Sequence, residues 1–283
     1  MKRTIALLLS VLMLFALAAC GTKDAAAPRN DAQGAVAEDA EPVTLYVFAA
    51  ASMTETLDQI IELYREVAPN VTIIPTYDSS GTLKTQIEEG AECDLFISAA
   101  QKQMNQLDAA KDAEGGNTDG LDFVLSETRV DLLENKVVLA VPDDNPAGIK
   151  SFEDLGTDRL TLLCIGNEDV PVGAYSEEIL TTLDLLDALK AANKLTYGSN
   201  VKEVTTQVKE GTVDAGIIYA TDAFSAQLTV VDQATSDLCR QVIYPAAVMK
   251  NTQNEAAARA FLAFLQSDAA VEVFRSVGFT PVL

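Results

Sequence analysis

The chain has 283 residues, with 42 acidic and 20 basic side chains, four cysteines, no tryptophan and no histidine. Without histidine there is no Ser-His-Asp triad, no Cys-His pair and no imidazole metal ligand. A net charge of −22 opposes nucleic acid and anionic lipid as partners, since both are held by a basic face, and the length suits two lobes rather than one.

Lys2 and Arg3 precede an apolar run over residues 5–19. The run is shorter than the ~20 residues a spanning helix needs, and charge followed by a short apolar core is the pattern of a secretory signal. It ends Leu17-Ala18-Ala19-Cys20-Gly21, which resembles a bacterial lipobox, a signal cut before a cysteine that then carries lipid. Residues 1–19 are expected to be a signal peptide and residues 20–42 a lipidated Cys20 with a flexible tether. The plainer alternative is an ordinary signal with an incidental cysteine. Residues 21–42, rich in Ala, Asp, Glu, Gly and Pro, have no apolar periodicity and span on the order of 25 Å as a coil. Removing residues 1–19 takes away Lys2 and Arg3 and leaves a net charge near −24.

The body begins with an apolar run of strand length, residues 43–50 (VTLYVFAA). Leu57, Ile60, Ile61 and Tyr64 then repeat at helical spacing, and Pro69 stops that helix. Residues 71–77 read as a strand, Leu83 and Ile87 as a short helix ended by Gly90, and residues 94–99 (DLFISA) as a third strand. Residues 104–135 are polar and read as an insertion with one short helix. Strand character resumes at 136–141 and 160–165. Helices are expected over 174–190 and 201–210, then a strand over 215–219. Val230-Val231 is a short apolar piece, 241–249 a strand, and 252 onward helical, with Ala256, Ala260, Phe261, Phe264 and Leu265 on one face. Strands alternating with helices imply a mostly parallel sheet flanked by helices in each of two α/β lobes. Residues 43–135 plus 238–283 are assigned to lobe I and 136–237 to lobe II, with a ligand cleft between them.

Cys93, Cys164 and Cys239 lie about seventy residues apart with no CxxC, so a zinc or iron–sulfur site is not expected. Cys164, inside Leu162-Leu163-Cys164-Ile165, reads as a buried strand residue, and no disulfide is expected.

The segments just beyond the strands are more informative. Ala49-Ala50-Ala51-Ser52 comes after the first strand, and Asp78-Ser79-Ser80-Gly81-Thr82 after the second. Asp169-Val170-Pro171-Val172-Gly173 and Tyr197-Gly198-Ser199-Asn200-Val201 open helices further on. Ligands of open α/β sheets sit at the carboxyl ends of the strands. Helix N-termini there offer free N–H groups and partial positive charge, and hydroxyls add donors, so together they make an anion site. Each segment also has a purely local reading. Ser52 with Glu55 fits a Ser-x-x-Glu capping box, Ser79 or Ser80 fits a helix cap, and Val172 and Val201 fit first-turn apolar positions.

VFAAASMTETL, SSGTLKTQIEEG, CDLFISAAQKQM, VPVGAYSEEIL, GIIYATDA and EVFRSVGFT together resemble the periplasmic molybdate-binding proteins of ABC transporters. The resemblance runs from about residue 43 to 280, with an apparent insertion around 112–129. It implies a two-lobed periplasmic-binding-protein fold of type II, and a binding protein rather than an enzyme, with no catalytic residues and no cofactor. The oxyanion would be held by Ser52 and Ser80, the backbone amides of Val172 and Val201, and the hydroxyl of Tyr219, with Ser79 a weaker candidate. These would grip the oxyanion as a whole, with no direct ligand to the metal atom. The partners implied are molybdate or tungstate and an ABC permease, for a monomer anchored to the membrane through Cys20, extracytoplasmic in the periplasm or at the outer face of the plasma membrane.

Gly81 departs from the pattern, standing where a third serine or threonine is common. Asp78, Glu168 and Asp169 place carboxylates beside the candidate donors, and both stretches are expected to face solvent. The nearest cations in sequence, Lys84 and Lys202, are expected to point outward, which leaves a dianion held by hydrogen bonds alone. Such bonds contribute about 1.5–3 kcal/mol each. A site of donors only rejects a protonated oxyanion. The alternatives are a receptor for sulfate or phosphate, an enzyme on the same fold, or an adhesin or scaffolding lipoprotein with a vestigial pocket.

Overall fold

The computed structural model describes residues 41–111 and 115–282. The expected signal peptide, Cys20 and all but the last two residues of the tether lie outside the described residues. Among the described residues no helix is long and apolar enough to cross a membrane.

In chain order, β1 (Val43–Ala50), α1 (Thr54–Val67), β2 (Val71–Asp78), α2 (Ser80–Glu88), β3 (Leu95–Ile97), α3 (Gln101–Leu107) and β4 (Val130–Asn135) come first. Next are β5 (Val137–Val141), β6 (Leu163–Gly166), α4 (Pro171–Thr182), α5 (Leu186–Ala191), β7 (Leu195–Gly198) and α6 (Val201–Lys209). Then come β8 (Ala215–Tyr219), α7 (Ala220–Ala226), β9 (Thr229–Gln233), β10 (Val242–Val248), α8 (Glu255–Phe264), α9 (Asp268–Ser276) and β11 (Thr280–Pro281).

Two sheets result. The first has the order β11-β4-β10-β3-β1-β2, the second β7-β6-β8-β5-β9. Parallel pairing is confined to β2-β1-β3 and β7-β6-β8. The remaining pairs, made by β10, β4 and β11 in one sheet and by β5 and β9 in the other, are antiparallel. Each sheet is therefore mixed rather than mostly parallel as expected, because β10, β4 and β11 join the one antiparallel and β5 and β9 the other, and its parallel half is the one that feeds loops into helix starts. The chain crosses from the first sheet to the second between Asn135 and Val137, with Lys136 alone between them, and returns between β9 and β10.

Burial explains the elements. All five residues of β5 are buried, as suits an interior strand covered on both faces. On α1 the buried stripe is Thr56, Leu57, Ile60, Ile61 and Tyr64, and the helix ends just before Pro69. Three further expectations are corrected. Residues 130–135 form a strand, β4, inside the stretch read as polar insertion; Leu132 and Leu133 face inward while Asp131 stays exposed. The helix expected over 174–190 is two helices. The chain breaks at Asp184, which adopts a left-handed φ of 58°. Leu183, Leu185 and Leu186 pack on the core across the break, so apolar spacing alone did not show it. On α8 and just after it the buried residues are Ala258, Phe261, Leu262 and Leu265, whereas Ala256 and Ala260 are exposed. Cys93, Cys164 and Cys239 are free and buried, Cys164 within β6.

Candidate functional site

The carboxyl ends of the parallel strands of both sheets meet around one small cavity. Its lining is Ala50, which ends β1, with Ala51 and Ser52 beyond it, Asp78, which ends β2, with Ser79 and Ser80 beyond it, and Ala99 after β3. The second sheet contributes Val170 and Pro171 at the start of α4, Val201 opening α6, and Tyr219 ending β8. Ser52, Ser80, Val201 and Tyr219 are thus brought together. Val172, the second residue of α4, is buried beside the cavity but is not part of its lining. Gly173 lets α4 start this close to β6, since a Cβ there would meet the carbonyl carbon of Gly166 at 2.7 Å.

The two serines after β2 have different tasks. Ser79 is the cap of α2: its Oγ accepts from the Thr82 N–H at 3.0 Å. Ser80, wholly buried, is the first residue of the helix, and its Oγ accepts from the Ala99 N–H at 2.9 Å. That bond occupies an oxygen lone pair and leaves the Ser80 proton free to be donated. A first-turn N–H has no intrahelical acceptor, so Ser80 presents both an N–H and an O–H.

Ser52 lies in a short 3-10 turn before α1, and its hydroxyl shares a 2.8 Å bond with the Tyr244 hydroxyl. The capping box with Glu55 is not formed: no side chain caps α1, and Glu55 instead pairs with Lys202. Asn135, at the crossover, donates to the Tyr244 hydroxyl at 3.2 Å and to Thr221 Oγ1 at 2.9 Å. Tyr244, Asn135 and Thr221 were not found from sequence: Tyr244 lies within β10, Asn135 ends β4, and Thr221, although inside GIIYATDA, lies in the first turn of α7 beside Tyr219, so only the fold places them behind Ser52.

Tyr219 is fully buried, yet its hydroxyl has no hydrogen-bond partner among the described residues. Its ring is edge-on to Tyr175 and Tyr244, at 6.5 and 5.8 Å. Burial, with the neighbouring tyrosines, holds the phenol well above its ordinary pKa, so it remains a donor. An orphaned buried hydroxyl costs free energy unless something accepts from it.

Besides the Asn135–Thr221 bond behind Ser52, three links tie the first sheet's side of the cavity to the second's. The Gly81 N–H donates to the Asp169 carbonyl at 2.9 Å. The Asn200 side-chain amide, which also caps α6, approaches Asp78 Oδ1 at 3.4 Å. Lys202 Nζ lies 2.7 Å from Glu55 and 3.1 Å from Asp222. Lys202 therefore does not point outward as expected: it is drawn between two carboxylates. Lys84 is likewise held, by Glu88 one turn on. Asp78 does not face solvent as expected. It is half-buried in the cavity wall, where its Oδ1 accepts from the Ser79 N–H at 2.7 Å, while Glu168 and Asp169 are exposed. Asp78 is the one ionisable carboxylate of the lining, and no cation belongs to it.

Donors converging from two α/β sheets on a small cavity define a receptor for a small polar solute. The chain belongs to the family of bacterial extracellular solute-binding proteins, whose model matches residues 45–280. It is 37% identical over 240 residues to a putative ABC transporter substrate-binding lipoprotein, YvgL, of Bacillus subtilis, spanning 84% of this chain and 86% of that one. It is 35% identical over 239 residues to the molybdate-binding protein ModA of Haemophilus influenzae, spanning 83% and 89%. Among solved structures, the substrate-binding domain of a putative molybdenum ABC transporter from Clostridium difficile matches at 37% identity and a TM-score of 0.63, covering 85% of this chain and all of that one. The Azotobacter vinelandii periplasmic molybdate-binding protein shares the fold at 22% identity and a TM-score of 0.72, over 84% of this chain and 100% of that one.

Proposed function

We propose that this chain is a receptor that captures molybdate, and tungstate with it, outside the cytoplasm and hands it to an ABC permease. The observation that carries the reading is the buried, unpartnered Tyr219 hydroxyl in the wall of a cavity that also receives the free donors of Ser80 and the first-turn N–H of Val201. A fully deprotonated tetrahedral oxyanion is all acceptor, so it suits a wall of donors. Ser52, Ser80, Val201 and Tyr219 would each give a bond, with the Val172 amide reached as α4 adjusts. Five such bonds at about 1.5–3 kcal/mol each offset the cost of burying the dianion. No bond is made or broken in this role, and Cys20 would tether the body to the membrane as a monomer.

Asp78 in the lining favours a second reading, a protonated oxyanion such as hydrogen phosphate, whose proton a carboxylate can accept. One calorimetric series with molybdate, tungstate, sulfate and phosphate separates the two. Tight binding of molybdate and tungstate with no heat from phosphate upholds the first; the reverse order replaces it with the second.

A further inference from the structure

The departure at Gly81 has a structural counterpart. In α2, Ser79 is the cap, Ser80 the first residue and Gly81 the second. The first three amide groups of a helix have no intrahelical partner, and here two of them are already engaged. Thr82 donates to Ser79 Oγ, and Gly81 donates across the cleft to the backbone carbonyl of Asp169. Ser80, between them in the cavity wall, alone keeps its amide for a solute.

The contact is backbone on backbone. A Cβ on residue 81 would fall 2.7 Å from the Asp169 Cα, 2.8 Å from its Cβ, and against its carbonyl oxygen. Ordinary contact begins near 3.4 Å, and the opposing atoms are main chain and the Cβ fixed to it, which cannot rotate away as a side-chain tip can. Any other residue at 81 therefore holds the loop before α4 further from α2. That loop leads into Val170 and Pro171 at the start of α4, which form the facing wall of the cavity. The other two links, Asp78 with Asn200 and Glu55 with Lys202, run through side chains that can follow such a movement.

We infer that Gly81 is a positioning residue that sets how far the site closes. It admits the Asp169 carbonyl to hydrogen-bond distance, and so fixes the span between the Ser80 donors on one sheet and the α4 and α6 donors on the other. This rests on the anion-receptor reading above and deepens it. The glycine decides whether an anion is gripped from both sides at once, and therefore how slowly it leaves.

The test is Gly81→Ala, compared with the unaltered chain in titrations with molybdate, tungstate, sulfate and phosphate, and in stopped-flow dissociation of whichever anion binds. Alanine is the better helix former, which offsets the Gly81–Asp169 bond that the ligand-free variant loses, so it should melt near the temperature of the unaltered chain. Its Kd should rise about tenfold or more, the cost of one lost hydrogen bond and a misplaced wall. The change should appear in the dissociation rate and hardly in association. A fall in affinity with unchanged or raised melting temperature is what a merely structural glycine would not produce. If the unaltered chain binds an anion and Gly81→Ala releases it at the same rate and Kd, the inference is overturned and the receptor stands. If the unaltered chain binds none of the four, the receptor reading fails and takes this one with it.

Discussion

Lys202 stands 3.1 Å from one oxygen of Asp222, a carboxylate with no exposed surface and no other hydrogen-bond partner among the described residues. Burial drives the Asp222 pKa up to about 6, against the pull of Lys202 downward. Lys202 itself is pulled down by burial but ends raised, because Asp222 and Glu55 outweigh it. As pH rises, the unfolded chain loses the Asp222 proton near 3.8 and the folded chain only near 6. The folded state thus binds more protons in that window, and this group's contribution to stability falls as pH climbs through it. Relative to Asp222→Asn, the unaltered chain should lose about 2–3 kcal/mol between pH 4 and 6.5. Urea melts of both chains at four pH values check this; a difference that stays constant would mean Asp222 remains ionised throughout.

Tyr219→Phe separates binding from folding. The hydroxyl has no partner to lose in the ligand-free protein, so its removal should leave stability unchanged or raise it by up to about 1 kcal/mol. Anion affinity should fall by roughly 1.5–3 kcal/mol, ten- to a hundredfold. Thermal melts beside calorimetry give both numbers. A variant that melts early and binds normally would make Tyr219 a packing residue only.

Ser52→Ala behaves differently, because Ser52 already bonds to Tyr244. Affinity should fall by about the same 1.5–3 kcal/mol, and stability by about 1 kcal/mol for the lost buried bond. Asn135 still donates to the Tyr244 hydroxyl in that variant, which limits the damage. Normal affinity in the variant would remove Ser52 from the site.

Between pH 7 and 9 affinity for a fully ionised oxyanion should be flat. Asp222 is already ionised there, and burial holds Tyr219, Tyr244 and Cys164 above that range. A titration with a midpoint inside the window would point to a proton carried by the anion.

Ionic strength tests the neutral wall. A chain near −22 repels a dianion at long range while short-range donors attract it. Salt screens the first far more, as the Debye length falls from ~30 Å at 0.01 M to ~8 Å at 0.15 M. The association rate should hold level or rise with added sodium chloride. A severalfold drop would reveal a cationic patch guiding the anion.

Much of the site was legible because its donors belong to local patterns. Ser80, Val201 and Tyr219 each follow or end a strand, and strand ends are visible as the last residue of an apolar run. The parts that stayed hidden depend on partners far along the chain. Ser52 and Glu55 have the spacing of a capping box, but Tyr244, 192 residues on, and Lys202, 147 residues on, compete for them and win. Lys202 read as outward from its helix position, since nothing local announces two carboxylates waiting on other elements. Strand β4 was hidden because Asp131, Glu134 and Asn135 interrupt its apolar residues, and one of those polar groups, Asn135, serves Tyr244 and Thr221.

Both described ends of the body, β1 and β11, belong to the first sheet, and the second is a loop of chain let out after Asn135 and taken back at Val242. A cargo fused ahead of β1 or a tag after β11 therefore attaches to the first sheet and leaves the second unburdened. For a fluorescent sensor the consequence is practical: one dye belongs near either end, and its partner on an exposed turn of the second sheet, such as Asp143 or Asp158, where any change in the spacing of the two sheets on binding would register as a change of distance.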